Sequence, residues 1–421
     1  MILLWAFLIG ALIFGAFQVS AYQPELPRSF RRGNIRAGDG TLLAATLADG
    51  TRAYPLGISA GQVLGYTERS PWGPGLAGVE YWFNSQLSQG QEIKLTLDPP
   101  LQIQAEKALA RAVREYRPLW ASAVVLNWEG QILALANYPF FDPAKPRGPD
   151  DPKTKNQASQ SLFEPGSSLK PLWAAALLQE GLASLETEVQ AQSPRILEGK
   201  AITDATAHPP VLNMAQVLAY SSNVGMSRLL EQLSPERAYH YLEDLGLTKP
   251  LTFKGAFNET PLLALPSTWN NFDFAALAFG QGIAITPLQL TAAFASLTDG
   301  QYHYPYLVEG TSPESRIIFS AQTSQKIRGA LAASTTQAAQ IPGYSVAGKS
   351  GTAQVAGPDG YLAGEFASVY IAVFPAQEPR VTIGVVIFRP QGSFFGSAVA
   401  APVFRDIAQA VLAQSQSGML N

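Results

Sequence analysis

Strand-forming sequence occurs in two blocks that lie far apart in the chain. The first is a pair of apolar runs, residues 121–126 and 131–136, joined by Asn127-Trp128-Glu129-Gly130, and it reads as a β-hairpin. The second block holds three runs, residues 344–355, 366–374 and 381–388, with turn chemistry at Gln377-Glu378-Pro379. The middle of the chain is largely helical. Its best-defined stretches are residues 169–178, 214–233, 235–245 and 287–297. A helix also precedes the hairpin, from Pro99-Pro100 to Tyr116, with Leu101, Ala105, Ala108, Leu109, Ala112 and Val113 at helical spacing. Another, at 400–414, closes the chain with Val403, Ile407, Ala410 and Val411 on one face. Strand pair, helical block, three-strand meander and helix together predict an α+β domain, an antiparallel sheet flanked by helices.

Composition removes several chemistries. The 421 residues suffice for two or three domains. Without cysteine there is no disulfide scaffold, Cys-based zinc site, iron–sulfur cluster or thiol nucleophile. His208, His240 and His303 are far apart and in no metal-ligand spacing, so no metal site is expected. A net charge of −3 argues against a nucleic-acid partner, for which a basic domain would be expected.

Residues 2–17, ILLWAFLIGALIFGAF, carry no charge. With their neighbours they reach the ~17–20 residues a spanning helix requires, so a transmembrane anchor is expected over 1–22. A cleaved signal peptide is the competing reading, since Val19-Ser20-Ala21 fits a small-residue cleavage site. Arg28, Arg31, Arg32 and Arg36 follow the segment. Read alone, the positive-inside rule would place them on the cytoplasmic side. From there to about residue 90 the chain is Gly-, Pro- and Arg-rich, a small irregular module ending at a strand-like run over 93–98.

Three segments carry chemistry. In Glu164-Pro165-Gly166-Ser167-Ser168-Leu169-Lys170-Pro171 the chain breaks and a very apolar helix follows at once. Ser167 then sits at a helix N-terminus, where free N–H groups favour developing negative charge. Lys170 lies one turn further on the same face. Pushed into an apolar helix, such a lysine is partly desolvated, its pKa falls, and it becomes a base for the serine hydroxyl. An N-cap serine with a snorkelling lysine would give the same local pattern. Ser221-Ser222-Asn223 opens another apolar helical stretch and could point a hydroxyl and an amide into the same cleft. In Lys349-Ser350-Gly351-Thr352, strand alternation places Lys349 and Gly351 on one face and Ser350 and Thr352 on the other. There Gly351 would let a ligand approach and Lys349 would attract an anion. Ser-x-x-Lys, Ser-x-Asn and Lys-Ser-Gly in this order form a serine acyl-transferase signature.

On these residues the chain resembles the class B penicillin-binding proteins, the monofunctional peptidoglycan transpeptidases. The likeness extends to Gly75-Leu76-Ala77-Gly78-Val79-Glu80, Leu95-Thr96-Leu97-Asp98 with Leu101-Gln102, Gly280-Gln281-Gly282-Ile283 with Thr286-Pro287-Leu288-Gln289, and Ala400-Ala401-Pro402-Val403-Phe404. Glu164-Pro165-Gly166-Ser167 and Ser221-Ser222-Asn223-Val224-Gly225 look like the division-specific, FtsI-type branch. Two features depart from it. The early R-G-x-I-x-D-R-x-G motif has Ala37 and Gly38 in place of its Asp and Arg, and the N-terminal module is short.

The resemblance implies a penicillin-binding transpeptidase fold divided into an anchor (1–22), a reduced pedestal module (23–95) and a transpeptidase domain (96–421). It implies Ser167 as nucleophile, Lys170 as base, and an oxyanion hole from the backbone N–H groups of Ser167 and Thr352. Lys349, Ser350 and Thr352 would hold the terminal carboxylate of a D-Ala-D-Ala stem peptide, with Gly351 beside them. Lys349 and Ser221 would relay a proton, and Asn223 would position the substrate amide. β-Lactams would acylate the same serine, and no cofactor or metal is implied. The implied partner is an FtsW-type membrane glycosyltransferase with other division proteins, and the implied location is the cytoplasmic (inner) membrane, single-pass, with the catalytic domain outside. An elongation-type transpeptidase or a D,D-carboxypeptidase would carry the same residues. A β-lactamase or a non-catalytic β-lactam sensor is a more distant alternative.

Overall fold

The structure, a computed structural model of the chain, describes residues 31–70, 73–148, 150–251, 258–311, 314–358 and 360–416. The anchor expected over 1–22 lies outside these residues. Among the described residues no helix is long and apolar enough to cross a membrane.

Near the N-terminus, β1 (Ile35–Arg36), β2 (Leu42–Thr46), β3 (Arg52–Ala53) and β4 (Ile93–Lys94) form a small sheet in the order β3-β2-β1-β4. The β1–β4 pair is parallel, so residues almost sixty positions apart lie side by side. A buried ion network explains two of the sequence motifs. Glu80 of Gly-Leu-Ala-Gly-Val-Glu is fully buried and accepts from Arg32 Nε at 2.6 Å and Arg52 Nε at 2.7 Å. Arg32 also donates to the Asn84 side chain at 2.8 Å and to the Glu80 carbonyl at 2.7 Å. Ala37, where the family motif has a charge, is fully buried and donates its N–H to the Thr41 carbonyl.

The run over 93–98 is not one regular strand. Ile93 and Lys94 pair with β1, whereas Leu95 bridges to Val308 and the Thr96 N–H donates to Leu307. Asp98 then caps α1 (Pro99–Tyr116), accepting from the Leu101 N–H at 2.8 Å, and Arg117 in the left-handed conformation ends the helix. The apolar face predicted for this helix is the one buried.

Five strands build the main sheet. They are β5 (Trp120–Asn127), β6 (Ile132–Tyr138), β7 (Ala347–Gly357), β8 (Gly360–Phe374) and β9 (Val381–Phe388). Their spatial order is β7-β8-β9-β5-β6 and every pairing is antiparallel. The two sequence blocks join where β9 pairs with β5 from Val381–Asn127 to Phe388–Trp120, whose rings stack at 4.7 Å. Both faces of the sheet are covered, which is why its strands read as near-continuous apolar runs. Ala121, Ala123, Val125, Tyr370, Ala372 and Phe374 face α1 and the C-terminal helix α6 (Ala401–Gln416). Val124, Leu126, Val369, Ile371 and Val373 face the helical block, which includes α2 (Lys170–Gln179), α3 (Met214–Tyr220), α4 (Asn223–Leu230) and α5 (Pro287–Ala295). The helical period over 214–233 is thus two helices. Ser221 breaks it with a positive φ of 58°, and the Ser222 side chain caps α4 by accepting from the Gly225 N–H.

Candidate active site

A single 3-10 turn, Gly166–Leu169, leads directly into α2. Ser167 therefore lies in the first turn of a helical segment, as its Pro165-Gly166 entry predicts. The Ser168 hydroxyl closes the turn by donating to the Pro165 carbonyl at 2.6 Å. The helix is apolar all round because it is buried all round, with Leu172, Trp173 and Ala174–Leu177 at 1% exposure or less. Lys170, in its first turn, is drawn fully inside.

There the Lys170 Nζ donates to the Ser221 carbonyl at 2.5 Å and to Asn223 Oδ1 at 2.7 Å, with Ser221 Oγ at 3.4 Å. Lys349 comes from β7, is also buried, and donates to Ser221 Oγ at 2.9 Å and to the Ser350 carbonyl at 3.0 Å. The Ser221 hydroxyl thus stands between two amines. Burial disfavours the charged form of both. It pushes Lys170 well below the ordinary lysine range, helped by the Lys349 charge and opposed by Asp204, and brings Lys349 down to about 8. Among the described residues no hydrogen bond joins the Ser167 hydroxyl to Lys170, whose donors are turned to Ser221 and Asn223.

Strand β7 is the edge of the sheet, and the serine turn packs against it. Close packing explains two glycines. A Cβ on Gly351 would stand 2.9 Å from the Pro165 carbonyl oxygen and 3.3 Å from the Ser168 nitrogen. The space left by Gly351 is therefore taken by the chain's own serine turn, not by a ligand. A Cβ on Gly280 would lie 2.3 Å from the Gly166 carbonyl oxygen, which accounts for the first glycine of Gly280-Gln281-Gly282 beside the site. Ser167, Asn223 and Thr352 line one cavity, together with Thr203, Phe279 and Gln281. Thr352 is fixed by accepting from the Gly396 N–H at 3.1 Å. Ser350 shares its strand face but is not among the residues lining that cavity.

Sequence reasoning missed two groups. Glu164 is a mostly buried carboxyl that accepts from the Gly282 N–H at 3.0 Å and the Tyr361 hydroxyl at 2.9 Å, and burial raises its pKa. Asp204 lies behind Ser222 and Asn223 and accepts from both. An aspartate that caps a helix some twenty residues away leaves no local sequence signal, because capping patterns are read only between near neighbours.

The comparisons with known proteins agree with this geometry. The family description "Penicillin binding protein transpeptidase domain" matches residues 121–409, from the first strand of the main sheet into α6. The "Probable peptidoglycan D,D-transpeptidase FtsI" of Caulobacter vibrioides is 31% identical over 380 residues, covering 83% of this chain and 64% of that protein. The "Probable peptidoglycan D,D-transpeptidase PbpC" of Pseudomonas aeruginosa is 32% identical over 328 residues, covering 75% and 58% respectively. The chain thus spans less than two thirds of the length of these relatives. The crystal structure of penicillin binding protein 3 from Mycobacterium tuberculosis superposes with a TM-score of 0.84 at 29% identity, covering 92% of this chain and 96% of that one. The chain belongs to the penicillin-binding protein transpeptidase family. Its relatives carry the names FtsI, PbpC and PenA, in keeping with the class B resemblance read from the motifs.

Proposed function

We propose that the chain is a peptidoglycan D,D-transpeptidase working through a serine acyl-enzyme. Ser167 Oγ attacks the carbonyl between the two terminal D-alanines of a stem peptide, and its proton passes to neutral Lys170. The tetrahedral oxyanion is held by the backbone N–H groups of Ser167 and Thr352, a contribution of about 3–4 kcal/mol per donor in such sites. When the C–N bond breaks, the departing D-alanine takes a proton relayed from Lys349 through Ser221. Lys349, Ser350 and Thr352 hold its carboxylate, and Asn223 positions the peptide amide. An amine from a neighbouring stem then attacks the acyl carbonyl and passes a proton through Ser221 back to Lys349; the ester C–O bond breaks, Ser167 Oγ recovers its proton from Lys170, and the amide cross-link is formed. Approach of the Ser167 hydroxyl to Lys170 belongs to the substrate complex, since catalytic hydrogen bonds often tighten only there.

One observation carries this reading: a fully buried lysine, held below its ordinary pKa, one helical turn from a half-buried serine that lines the cavity, and in contact with both members of the Ser-x-Asn motif. The names of the relatives support the substrate, and an ampicillin complex of the M. tuberculosis protein supports β-lactam binding. The division role, an FtsW-type polymerase as partner, and a division of the chain into anchor (1–22), pedestal (23–95) and catalytic domain (96–421) outside the cytoplasmic membrane complete the proposal. A fluorescent penicillin tests it. Stable labelling, lost in Ser167→Ala and mapped to Ser167 by mass spectrometry, is the expected result. No label, or rapid turnover of it, overturns the assignment.

A further inference from the structure

Behind the Ser-x-Asn turn lies a buried pair of side chains that the mechanism above does not use. The Asp204 and His208 side chains are 3% and 4% exposed. Asp204 Oδ1 accepts from the backbone N–H of Asn223 and, at 3.2 Å, of Val224. Its Oδ2 accepts from the Ser222 hydroxyl at 2.7 Å and faces His208 Nε2 at 2.8 Å. The other ring nitrogen, His208 Nδ1, faces the Pro209 carbonyl at 2.8 Å. A carbonyl only accepts, so Nδ1 donates to Pro209, and Nε2 faces a carboxyl oxygen that already accepts from the Ser222 hydroxyl. That arrangement favours the charged imidazolium, and the Pro209 carbonyl and Asp204 raise the His208 pKa.

The segment grips Asn223 at one further point. Its Nδ2 donates to the Thr203 carbonyl at 2.8 Å, while its Oδ1 receives Lys170. The Asp204 N–H is itself fixed on Ser193 Oγ at 3.0 Å. Thr203 and Asp204 thus set the amide orientation of Asn223 and tie down Ser222, the residue between the two groups that hold Lys170.

We propose that Asp204, paired with His208, is the positioning residue of the active site: it clamps the Ser221–Asn223 turn against Lys170 and sets the field in which that amine gives up its proton. The charged and titratable groups that act on Lys170 are Lys349 from β7 and Asp204, whose own partner is His208. The negative charge opposes the loss of the Lys170 proton. Without that charge the neutral amine forms at lower pH.

The inference rests on Lys170 acting as base, and its test is the pH profile of acylation by fluorescent penicillin in the full chain. Asp204→Ala is expected to slow acylation by roughly 10²-fold, as misplacement of reacting groups does. Asp204→Asn keeps the shape and an acceptor for the α4 N–H groups, so it should slow acylation less and move the acid limb to lower pH. His208→Gln, which keeps one donor to Asp204, should recover most of the rate that His208→Ala loses. If Asp204→Ala does not fold, the isosteric variant decides. An acid limb in Asp204→Asn that coincides with the wild type, whether or not the rate falls at every pH, reduces Asp204 to a helix cap and overturns the proposal. Labelling of wild-type Ser167 keeps the two readings apart: if it is absent, the transpeptidase assignment fails first.

Discussion

At the residue scale the two buried lysines predict a bell-shaped acylation profile. In the proposed mechanism Lys170 must be neutral to accept the serine proton, and burial has lowered its pKa, so the rate rises with pH as that proton is lost. Lys349 must be charged to hold a carboxylate, and its pKa is brought down to about 8, so the rate falls as pH rises through that value. Measuring the second-order rate of penicillin acylation between about pH 5 and 10 checks both limbs. A profile flat through pH 8 would remove Lys349 from ligand binding. Both lysines were legible in the sequence as candidates, because Ser-x-x-Lys entering an apolar helix marks Lys170 and Lys-Ser-Gly in a strand pattern marks Lys349. Their mutual contact through Ser221 was not, since it joins positions 128 apart. The same holds for Asp204, which acts on Asn223 from a loop with no pattern of its own.

At the scale of elements, the packing of the serine turn on β7 predicts that Gly351→Ala damages function more than folding. The added Cβ meets backbone at 2.9 Å, so the turn must move. Overpacking of this kind costs about 1–3 kcal/mol. A displaced nucleophile should slow acylation roughly 10²-fold. Thermal denaturation beside acylation kinetics separates the two effects, and a variant acylated at the wild-type rate would contradict the packing argument. The N-terminal network makes a different prediction. Glu80→Ala would leave Arg32 and Arg52, 8% and 7% exposed at their side chains, buried without their carboxylate. Breaking such a pair costs about 3–5 kcal/mol. Differential scanning calorimetry should show that loss, and an unchanged melting curve would refute it. Element boundaries were most legible where local chemistry sets them. α1 runs from Pro99 to Tyr116 as its proline entry and apolar spacing predict. They were least legible where tertiary contacts intervene. The helical period over 214–233 runs on through Ser221, and only the Ser221-Ser222-Asn223 start signal within it marks the break that the left-handed Ser221 and the Ser222 cap make.

For the whole molecule, stability rests on joining the two ends of the chain around one sheet. Phe404 of α6 is fully buried, with Tyr370 and Phe374 of β8 at ring distances of 5.0 and 6.3 Å. Phe404→Ala should destabilise the fold by about 3–5 kcal/mol, the usual result of emptying a large core site. Urea denaturation of the full chain measures it, and a loss below ~1 kcal/mol would mean that α6 is not a core element. By itself the sequence determined the five strands of the main sheet, the helices that enclose the candidate site, the sheet-and-helix class and the candidate reacting residues. Each of these depends on side-chain type and spacing within a few turns of helix or a few residues of strand. Only the tertiary structure decided that β9 pairs with β5, that Gly351 makes room for the chain's own serine turn, and that Asp204 stands behind Asn223. Those relations are contacts between distant segments, and they form when the two faces of the sheet are buried, a cooperative event that no local pattern encodes.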